Sequence, residues 1–481
     1  MDRFGDEMRT ASFNYRLILA CLFILACLCV LIPGAMFAQA TDSPGKGKPA
    51  SLPVAPPKLS PDARYKTDIL LVIAHPDDDL AVDAYLAKAI DEGKRVSAIF
   101  MTRGRAGQNF VGNEQGLALA DERELEARRA MAFLGITDVW FLNGPDHPGP
   151  DVLHSLELWG DGPALSRVVR LVRLTRPEVV ITMLPDYVVG ENHTNHQAAG
   201  VIATEAFDLA GDPLAFPEQV EAPRNHLDFE QYGEGLRPWQ AKKIYYFSDS
   251  LYTDFYKGIG PKYSTQGVSV ARGKSYAQIA YDAAGYYETQ GVQVGMMPYY
   301  KKPIYLILGK SLVGGTPTGD IFQDITAAPI AYVRARGYEP PVRPALSVEL
   351  GGPWAFYNLF WPAHNIERLS RLFSPQAICL SGQPPLWVPI LIHNNTDTAE
   401  RVSLRSTLPA GWTEAPGPMI YPVGAHGSYP VTLYVSCPKT QKVTWKTLTW
   451  RAETKGGNSA SVKLRVNWMK LEDFLTAMNS Q

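Results

Sequence analysis

The sequence predicts an α/β fold, with a three-layer α/β/α Rossmann-like and mostly parallel sheet, followed by a C-terminal antiparallel β-sandwich. Unbroken apolar runs such as residues 68–72 recur along the chain, and such strands are buried on both faces, as in parallel sheets. Stripes of helical period separate them, as in residues 165–172, and imply right-handed crossovers. Beyond about Ser374 the apolar period changes to two, for example over residues 431–435. That period is typical of an antiparallel sandwich.

The strand and helix units alternate from about residue 66. The predicted strands are residues 68–72, 96–100, 139–142, 178–184 and 243–247, and the clearest helices are residues 80–91 and 276–290. No Gly-x-Gly-x-x-Gly motif follows the first strand. A dinucleotide cofactor is therefore not indicated.

The length of 481 residues exceeds what one hydrophobic core normally supports, so several domains are expected. The predicted segments are a signal peptide at 1–40, a disordered Pro/Gly-rich linker at 41–64, the α/β domain at 65–326, a connecting region at 327–373 and the sandwich at 374–470. The formal net charge of -2 gives no sign of a nucleic-acid-binding surface, so no nucleic-acid partner is expected.

The N-terminal segment has the pattern of an export signal. Three arginines precede the apolar run 17–32, and Ala38-Gln39-Ala40 has the form that a signal peptidase accepts. We therefore expect a periplasmic or secreted protein. An uncleaved membrane anchor is the alternative, and only then is a membrane contact expected. Cleavage would leave Cys379 and Cys437, which form either one bridge or two separate thiols.

Candidate metal ligands follow the first strand directly. In Ile73-Ala74-His75-Pro76-Asp77-Asp78-Asp79, an imidazole and carboxylates lie at the end of a strand where open α/β sheets place their ligand crevice. His75 and Asp78 can reach one ion, since these donors suit zinc. Asp77 is then free to accept a proton from water. The alternative is an acidic turn that caps the next helix.

A second cluster follows the strand 178–184. His193 and His196 are spaced i, i+3, which places them on one side of a first helical turn. One histidine can then bind the metal while the other faces the substrate. Taken singly, each histidine is also explained as a hydrogen-bonded loop or capping residue.

The two motifs together resemble the PIG-L/LmbE family of zinc-dependent N-deacetylases, whose patterns are Ala-His-Pro-Asp-Asp-Glu and His-Pro-Asp-His. The similarity extends over about residues 66–308. The resemblance implies that His75, Asp78 and His196 bind Zn²⁺, or Fe²⁺ or another divalent ion. It implies that Asp77 is the general base and that His193 assists the leaving amine.

The same resemblance implies a metal-dependent amide hydrolase that removes acetyl groups from an N-acetylglucosamine-type sugar. The N-terminal export pattern adds the expectation that the enzyme is exported and acts on a glycan or glycoconjugate outside the cytoplasm. Two positions depart from the family pattern. Asp79 stands where the family usually has glutamate, and Thr194-Asn195 replace its usual Pro-Asp. Asn195 removes a carboxylate that would orient or charge the site.

Three further residues are candidates for substrate binding. Arg103 lies in a loop over the crevice, Arg123 begins a helix, and Asp146 follows the strand 139–142. Each also has a structural explanation: a solvent-exposed loop residue for Arg103, a helix-surface pair with Glu126 for Arg123, and turn formation for Asp146.

Two other classes of function remain open. A noncatalytic glycan-binding protein would retain the pocket without the chemistry, and two histidines with one carboxylate also describe non-haem iron enzymes. The predicted sandwich resembles immunoglobulin-like accessory modules of carbohydrate-active enzymes. A spacer or docking function for glycan or protein is expected of it.

Overall fold

The structure is a computed structural model that describes residues 63–147, 149, 151–186, 193–222, 233–248, 258–372, 377–381, 385–438 and 445–469. The predicted signal peptide and all but the end of the predicted linker lie outside these ranges. Within the ranges described, we find no helix with the length and apolar character needed to cross a membrane.

The first half of the described chain alternates strands and helices. The strands are Ile69–Ile73 (β1), Val96–Phe100 (β2), Asp138–Phe141 (β3), Val179–Met183 (β4), Lys243–Phe247 (β5), Lys262–Tyr263 (β6), Ile304–Tyr305 (β7) and Ile307–Ser311 (β8). The helices are Asp83–Asp91 (α1), Gly116–Leu134 (α2), Val152–Trp159 (α3), Asp161–Thr175 (α4), Thr194–Leu209 (α5), Tyr276–Ala284 (α6) and Met297–Tyr300 (α7). The predicted strands are confirmed to within two residues at each end.

Six of these eight strands form one sheet in the order β3-β2-β1-β4-β5-β8, and β6 pairs with β7. The first five strands are parallel, and β8 pairs antiparallel with β5. Every residue of β1, β2, β4 and β5 is buried, because helices cover both faces: α1, α2, α6 and α7 pack together, as do α3, α4 and α5. The predicted three-layer fold is confirmed.

The central position of β1 determines where a ligand crevice forms. From β1 the chain builds outward through β2 and β3 on one side, and then through β4 and β5 on the other. The strand order therefore reverses between β1 and β4. In open α/β sheets ligands bind at such a reversal, outside the carboxyl ends of the strands.

The C-terminal part is a sandwich of two sheets, as predicted. Its strands are Leu346–Leu350 (β9), Ala377–Ser381 (β10), Leu386–Asn394 (β11), Glu400–Thr407 (β12), Thr413–Ala415 (β13), Met419–Val423 (β14), Gly427–Ser436 (β15), Lys446–Thr454 (β16) and Ser459–Met469 (β17). The sheet orders are β10-β17-β16-β12-β14 and β13-β15-β11-β9. All described pairs are antiparallel except β10 with β17. Cys437 is a free cysteine, and the side chain of Cys379 lies outside the described residues.

The region 327–373, predicted from its proline content to connect the two domains, contributes to both. Strand β9 pairs with β11, so the sandwich starts earlier than residue 374. The helix Pro353–Ala363 (α8) follows, and its Tyr357, Phe360 and Trp361 belong to the core of the α/β part. Trp354 of the same helix packs against the core of the sandwich. The apolar residues of the region pack into both cores, so the region is folded despite its proline content.

Glu205 on α5 is a titrating group in the helical layer. Burial, with the nearby charges of Asp161 and Asp208, raises the pKa of Glu205 to about 8. The folded state therefore binds this proton more tightly than the unfolded chain, so stability falls as pH rises from about 4.5 to about 8. We therefore expect the melting temperature of Glu205→Gln to fall less than that of the wild type as the pH rises over this range, measured by thermal unfolding.

The exposed Glu157 on α3 supplies the control, since Glu157→Gln should keep the wild-type pH profile. If Glu205→Gln also keeps that profile, the raised pKa of Glu205 is wrong.

Candidate metal centre

Two segments distant in sequence meet at the carboxyl edge of β1 and β4. His75 lies two residues after β1, and His193 is the N-cap residue of α5, which follows β4. Helix α5 lies close to β4 because residue 200 is glycine: a Cβ at Gly200 would come 2.3 Å from the carbonyl oxygen of Met183. This close packing fixes the first turn of α5 beside the end of β1.

Three donor atoms converge at this point. Nδ1 of His75 lies 3.1 Å from Nε2 of His196. Oδ1 of Asp78 lies 3.1 Å from Nε2 of His196 and 3.7 Å from Nδ1 of His75. For bonds of about 2.0–2.1 Å to a tetrahedral zinc ion, ligand atoms lie roughly 3.3 Å apart. The two imidazoles and the carboxylate therefore fit a zinc ion in both chemistry and spacing.

The carboxylate of Asp78 is oriented by the backbone. Its Oδ2 accepts hydrogen bonds from the N–H groups of Ala74, at 2.9 Å, and His75, at 2.7 Å. These bonds turn Oδ1 toward the two imidazoles. Burial alone would raise the pKa of Asp78, but the His196 and His75 rings hold it well below its usual value. Asp78 is therefore ionised, as a metal ligand must be.

Asp77 adopts a strained backbone conformation. Its φ of 100° lies in the left-handed region, which non-glycine residues occupy at a cost of order 1–3 kcal/mol. This conformation occurs at the turn between His75 and Asp78. Burial, followed by the charge of Asp78, raises the pKa of Asp77 well above its usual value. A carboxyl with raised proton affinity beside the candidate metal centre suits a general base.

His193 lies against the two predicted histidine ligands. Its ring stacks on His196 with centroids 4.0 Å apart, and the centroid of His75 is 5.1 Å away. Burial, followed by the charges of His196 and His75, lowers the pKa of His193 to about 3. His193 is therefore neutral near pH 7, which differs from the protonated form expected of a leaving-group acid. Its ring nitrogens also lie close enough for it to be a fourth ligand.

Asp146 contacts the His75 ring. Its Oδ1 lies 3.2 Å from Nε2 of His75 and accepts a hydrogen bond from Nδ2 of Asn195 at 3.1 Å. Its Oδ2 accepts from the backbone N–H of Ala106. The hydroxyl of Ser155 donates to Oδ1 of Asn195 at 2.7 Å. The substrate-binding role of Asp146 stays a prediction, and the structure adds a carboxylate–histidine contact of the kind that orients a metal ligand.

The charges of this contact reinforce each other. Burial alone would lower the pKa of His75, but hydrogen bonds with Asp146 and Asp78 raise it to about 9. Burial alone would raise the pKa of Asp146, but the bond from His75 lowers it to about 2. The Asp146 carboxylate is therefore ionised and close to the ligand ring. It supplies the charge that Asn195 lacks.

The two arginines predicted to bind substrate have other contacts. Arg103 pairs through Nη1 with Asp121 at 2.5 Å and Glu124 at 3.5 Å on the surface of α2. Arg123 is buried and donates to the carbonyl oxygens of Gly104, at 2.9 Å, and Gln108, at 2.8 Å. It thereby fixes the loop over the crevice.

This arrangement requires glycine in the loop. A Cβ at Gly107 would come 2.2 Å from Nη1 of Arg123. The charge of Arg123 also affects the candidate site, because it lowers the pKa of Asp77. Burial has the larger effect, so the pKa of Asp77 is raised overall.

Two contacts at the site were not predicted. The hydroxyl of Tyr287 donates to Oδ1 of Asp79 at 2.7 Å, so the aspartate that departs from the family pattern is tied to the segment after α6. The Ser155–Asn195 bond joins α3 to α5. The one signal in the sequence for this bond was Ser155, a small polar residue within the apolar face of α3.

The comparisons with known proteins agree with the resemblance. Residues 70–207 match the family model "PIG-L: GlcNAc-PI de-N-acetylase". This range includes His75, Asp77, Asp78, His193 and His196. Residues 70–207 are therefore a PIG-L domain.

Among curated proteins, one relative is 33% identical over 178 residues: the 1D-myo-inositol 2-acetamido-2-deoxy-alpha-D-glucopyranoside deacetylase 1 of Catenulispora acidiphila. The deacetylase of the same name in Streptomyces scabiei, without the final numeral, is 31% identical over 222 residues. These alignments cover 34% and 43% of this chain, and 54% and 61% of those proteins. The chain thus matches little more than half the length of these relatives.

A solved structure with a similar chain course is the N,N'-diacetylchitobiose deacetylase from Pyrococcus horikoshii. It is 17% identical, with a TM-score of 0.39, and the match covers 54% of this chain and 87% of that chain.

The contact between Asp146 and His75 can be tested by metal affinity. We expect Asp146→Asn to weaken zinc binding by about 10–100-fold, because the carboxylate no longer holds and charges the His75 ring. Competition with a chromophoric chelator measures this affinity. The exposed Asp121 provides a matched control, since Asp121→Asn should bind zinc like the wild type. Equal affinities for Asp146→Asn and Asp121→Asn would refute the orienting role.

Proposed function

We propose that the PIG-L domain is a zinc-dependent amide hydrolase that removes the acetyl group from an N-acetylglucosamine-type sugar or glycoconjugate. The observation that carries this proposal is the convergence of His75, Asp78 and His196 within 3.1–3.7 Å, with Asp77 and His193 beside them. The family match and the printed activities of the relatives support the substrate class. The N-terminal export pattern supports action outside the cytoplasm.

The metal supplies Lewis-acid chemistry: when bound, a zinc ion polarises a carbonyl oxygen and lowers the pKa of water toward about 7. His75, Asp78 and His196 would hold the ion. Asp146 keeps the His75 ring in the orientation that presents Nδ1.

Asp77 acts as the general base. Its turn conformation places it between two of the ligands without its being one of them, and its raised proton affinity suits it to accept a proton from the attacking water. The same carboxyl can return that proton when the amide bond breaks.

His193 contributes a hydrogen bond to the reacting group. Because the ring is neutral before reaction, it can act as the acid only by relaying the proton that Asp77 took from the attacking water. It passes that proton to the departing nitrogen as the C–N bond breaks, which leaves a free amino sugar and acetate.

The base is tested by acetate release from zinc-loaded protein. The substrates are N-acetylglucosamine, N,N'-diacetylchitobiose and an N-acetylglucosaminyl inositol. We expect Asp77→Asn to lower kcat by about 10²–10⁴, because an amide cannot accept the proton, while the zinc content stays at the wild-type level. The exposed Asp397 of the sandwich gives the control, and Asp397→Asn should turn over like the wild type.

Two results would contradict the proposal. If Asp77→Asn turns over as fast as the wild type, the base is another group. If zinc-loaded wild-type protein releases no acetate from any of the three substrates, the deacetylase function itself is wrong.

A further inference from the structure

A groove of about 270 Å³ lies at one edge of the sandwich. Strand β9, helix α8 and the first half of β17 line it. The side chains that give it polar character are Glu349, Trp354, Asn358, Ser461 and Lys463. None of these residues is part of the candidate metal centre.

The groove exists because both sheets have an open edge there. Strand β9 is the last strand of its sheet in the described chain, and its only partner there is β11. In the facing sheet, β10 pairs with β17 only from Arg465 onward. Residues 459–464 therefore have no described partner on that side. Helix α8 runs beside the gap and closes it on one flank.

The lining combines one indole with hydrogen-bonding groups of both kinds. Trp354 is half-buried and packs against the sandwich core. Asn358 is one helical turn further on the same face and is exposed. Lys463 and Ser461 are exposed and alternate with the buried Val462 on β17. The amine donates, and the amide and hydroxyl both donate and accept.

The acceptor in the groove is held in place from behind. Oε1 of Glu349 accepts hydrogen bonds from Nη2 of Arg343, at 2.6 Å, and from Nε2 of His393, at 2.8 Å. These two partners fix the carboxylate of Glu349, which is one of the residues that line the groove. A preorganised acceptor loses little side-chain freedom when a ligand binds.

These features select a class of ligand. The lining holds one ammonium, that of Lys463, and one carboxylate, that of Glu349, which already pairs with Arg343. Neither sign of charge is therefore concentrated in the groove for a strongly anionic or cationic ligand. Its few apolar side chains belong to the sandwich core, which argues against a lipid. A pyranose ring has an apolar C–H face for an indole and hydroxyls that donate and accept. The volume is near the lower end of small-molecule sites, which are about 300–1,000 Å³.

Helix α8 connects this groove to the α/β part. An adjoining face of this helix carries Tyr357, whose hydroxyl donates to Oε1 of Gln197 at 3.0 Å. Gln197 directly follows His196 on α5. Helix α8 therefore contacts both the groove and the first turn of α5, which carries His196.

We propose that this groove is a second saccharide-binding site, which takes one neutral sugar ring of a longer glycan. The indole of Trp354 packs on the C–H face of the ring, and Glu349, Asn358 and Lys463 bind its hydroxyl or acetamide groups. Binding at the groove does not require hydrolysis, so it goes beyond the proposed deacetylase function.

The test is calorimetric titration of the full chain carrying Asp77→Asn, which prevents turnover. The probes are triacetylchitotriose, cellotriose and maltotriose. We expect at least one of the three trisaccharides to bind. When Asn358→Ala and Lys463→Ala are both added to the Asp77→Asn protein, the affinity at the groove should fall by at least tenfold. The control is Trp387, an exposed aromatic residue of strand β11 that does not line the groove. Trp387→Ala should leave binding unchanged.

The exposed side chains of Asn358 and Lys463 can be removed without loss of packing, and a melting curve equal to that of the parent confirms the fold. If none of the trisaccharides binds, or if the paired variant binds as tightly as its parent, the groove is not a saccharide site. Neither result bears on acetate release by the wild type. Failure of the groove and failure of the deacetylase are therefore separate observations.

Discussion

The parallel pairing of β1 with β4 is the constraint on which the site depends. His75 and His196 are 121 residues apart in sequence, yet their ring nitrogens lie 3.1 Å apart. The distance is short because neighbouring parallel strands end at the same edge of the sheet, and because α5 packs closely on β4 through Gly200. Two imidazole nitrogens and an ionised carboxylate oxygen gathered in one buried place need a proton or a cation among them. The fold itself thus creates the demand for a positive charge.

Around these donors, the chain keeps the function of a missing carboxylate by other means. Asn195 stands where the PIG-L pattern usually has aspartate, and its amide donates a hydrogen bond to Asp146, which lies beside His75. The negative charge comes from Asp146, at the end of β3. The loop that carries the backbone N–H of Ala106 to Asp146 is held in turn by Arg123. Two residues predicted to bind substrate, Asp146 and Arg123, thus also contact the predicted ligand His75 and the crevice loop.

The fold and the meeting of the two histidine motifs could be predicted because they follow from local signals. The choice of His196 rather than His193 as a ligand came from the resemblance to the PIG-L/LmbE family and stays a prediction. Unbroken apolar strands fix the parallel sheet, and parallel strands fix the edge at which His75 and His196 meet. The roles of Asp146 and Arg103 could not be predicted, since they depend on which side chain a loop residue meets. The charge of His193 could not be predicted from the sequence pattern either. Burial lowers the pKa of its ring, so that His193 is neutral. In region 327–373, prolines indicated a linker, but alternating Leu346, Val348 and Leu350 complete a sheet.

The account stands on His75, Asp78 and His196 binding a single cation. X-ray absorption at the zinc edge, on protein dialysed against excess zinc and then washed, tests this most directly. We expect about one zinc per chain in the wild type, with only nitrogen and oxygen ligands at about 2.0–2.2 Å and imidazole scattering, and loss of that zinc in His196→Ala. A wild type that retains no zinc, or a His196→Ala variant with the same zinc content and ligand shell, would contradict it.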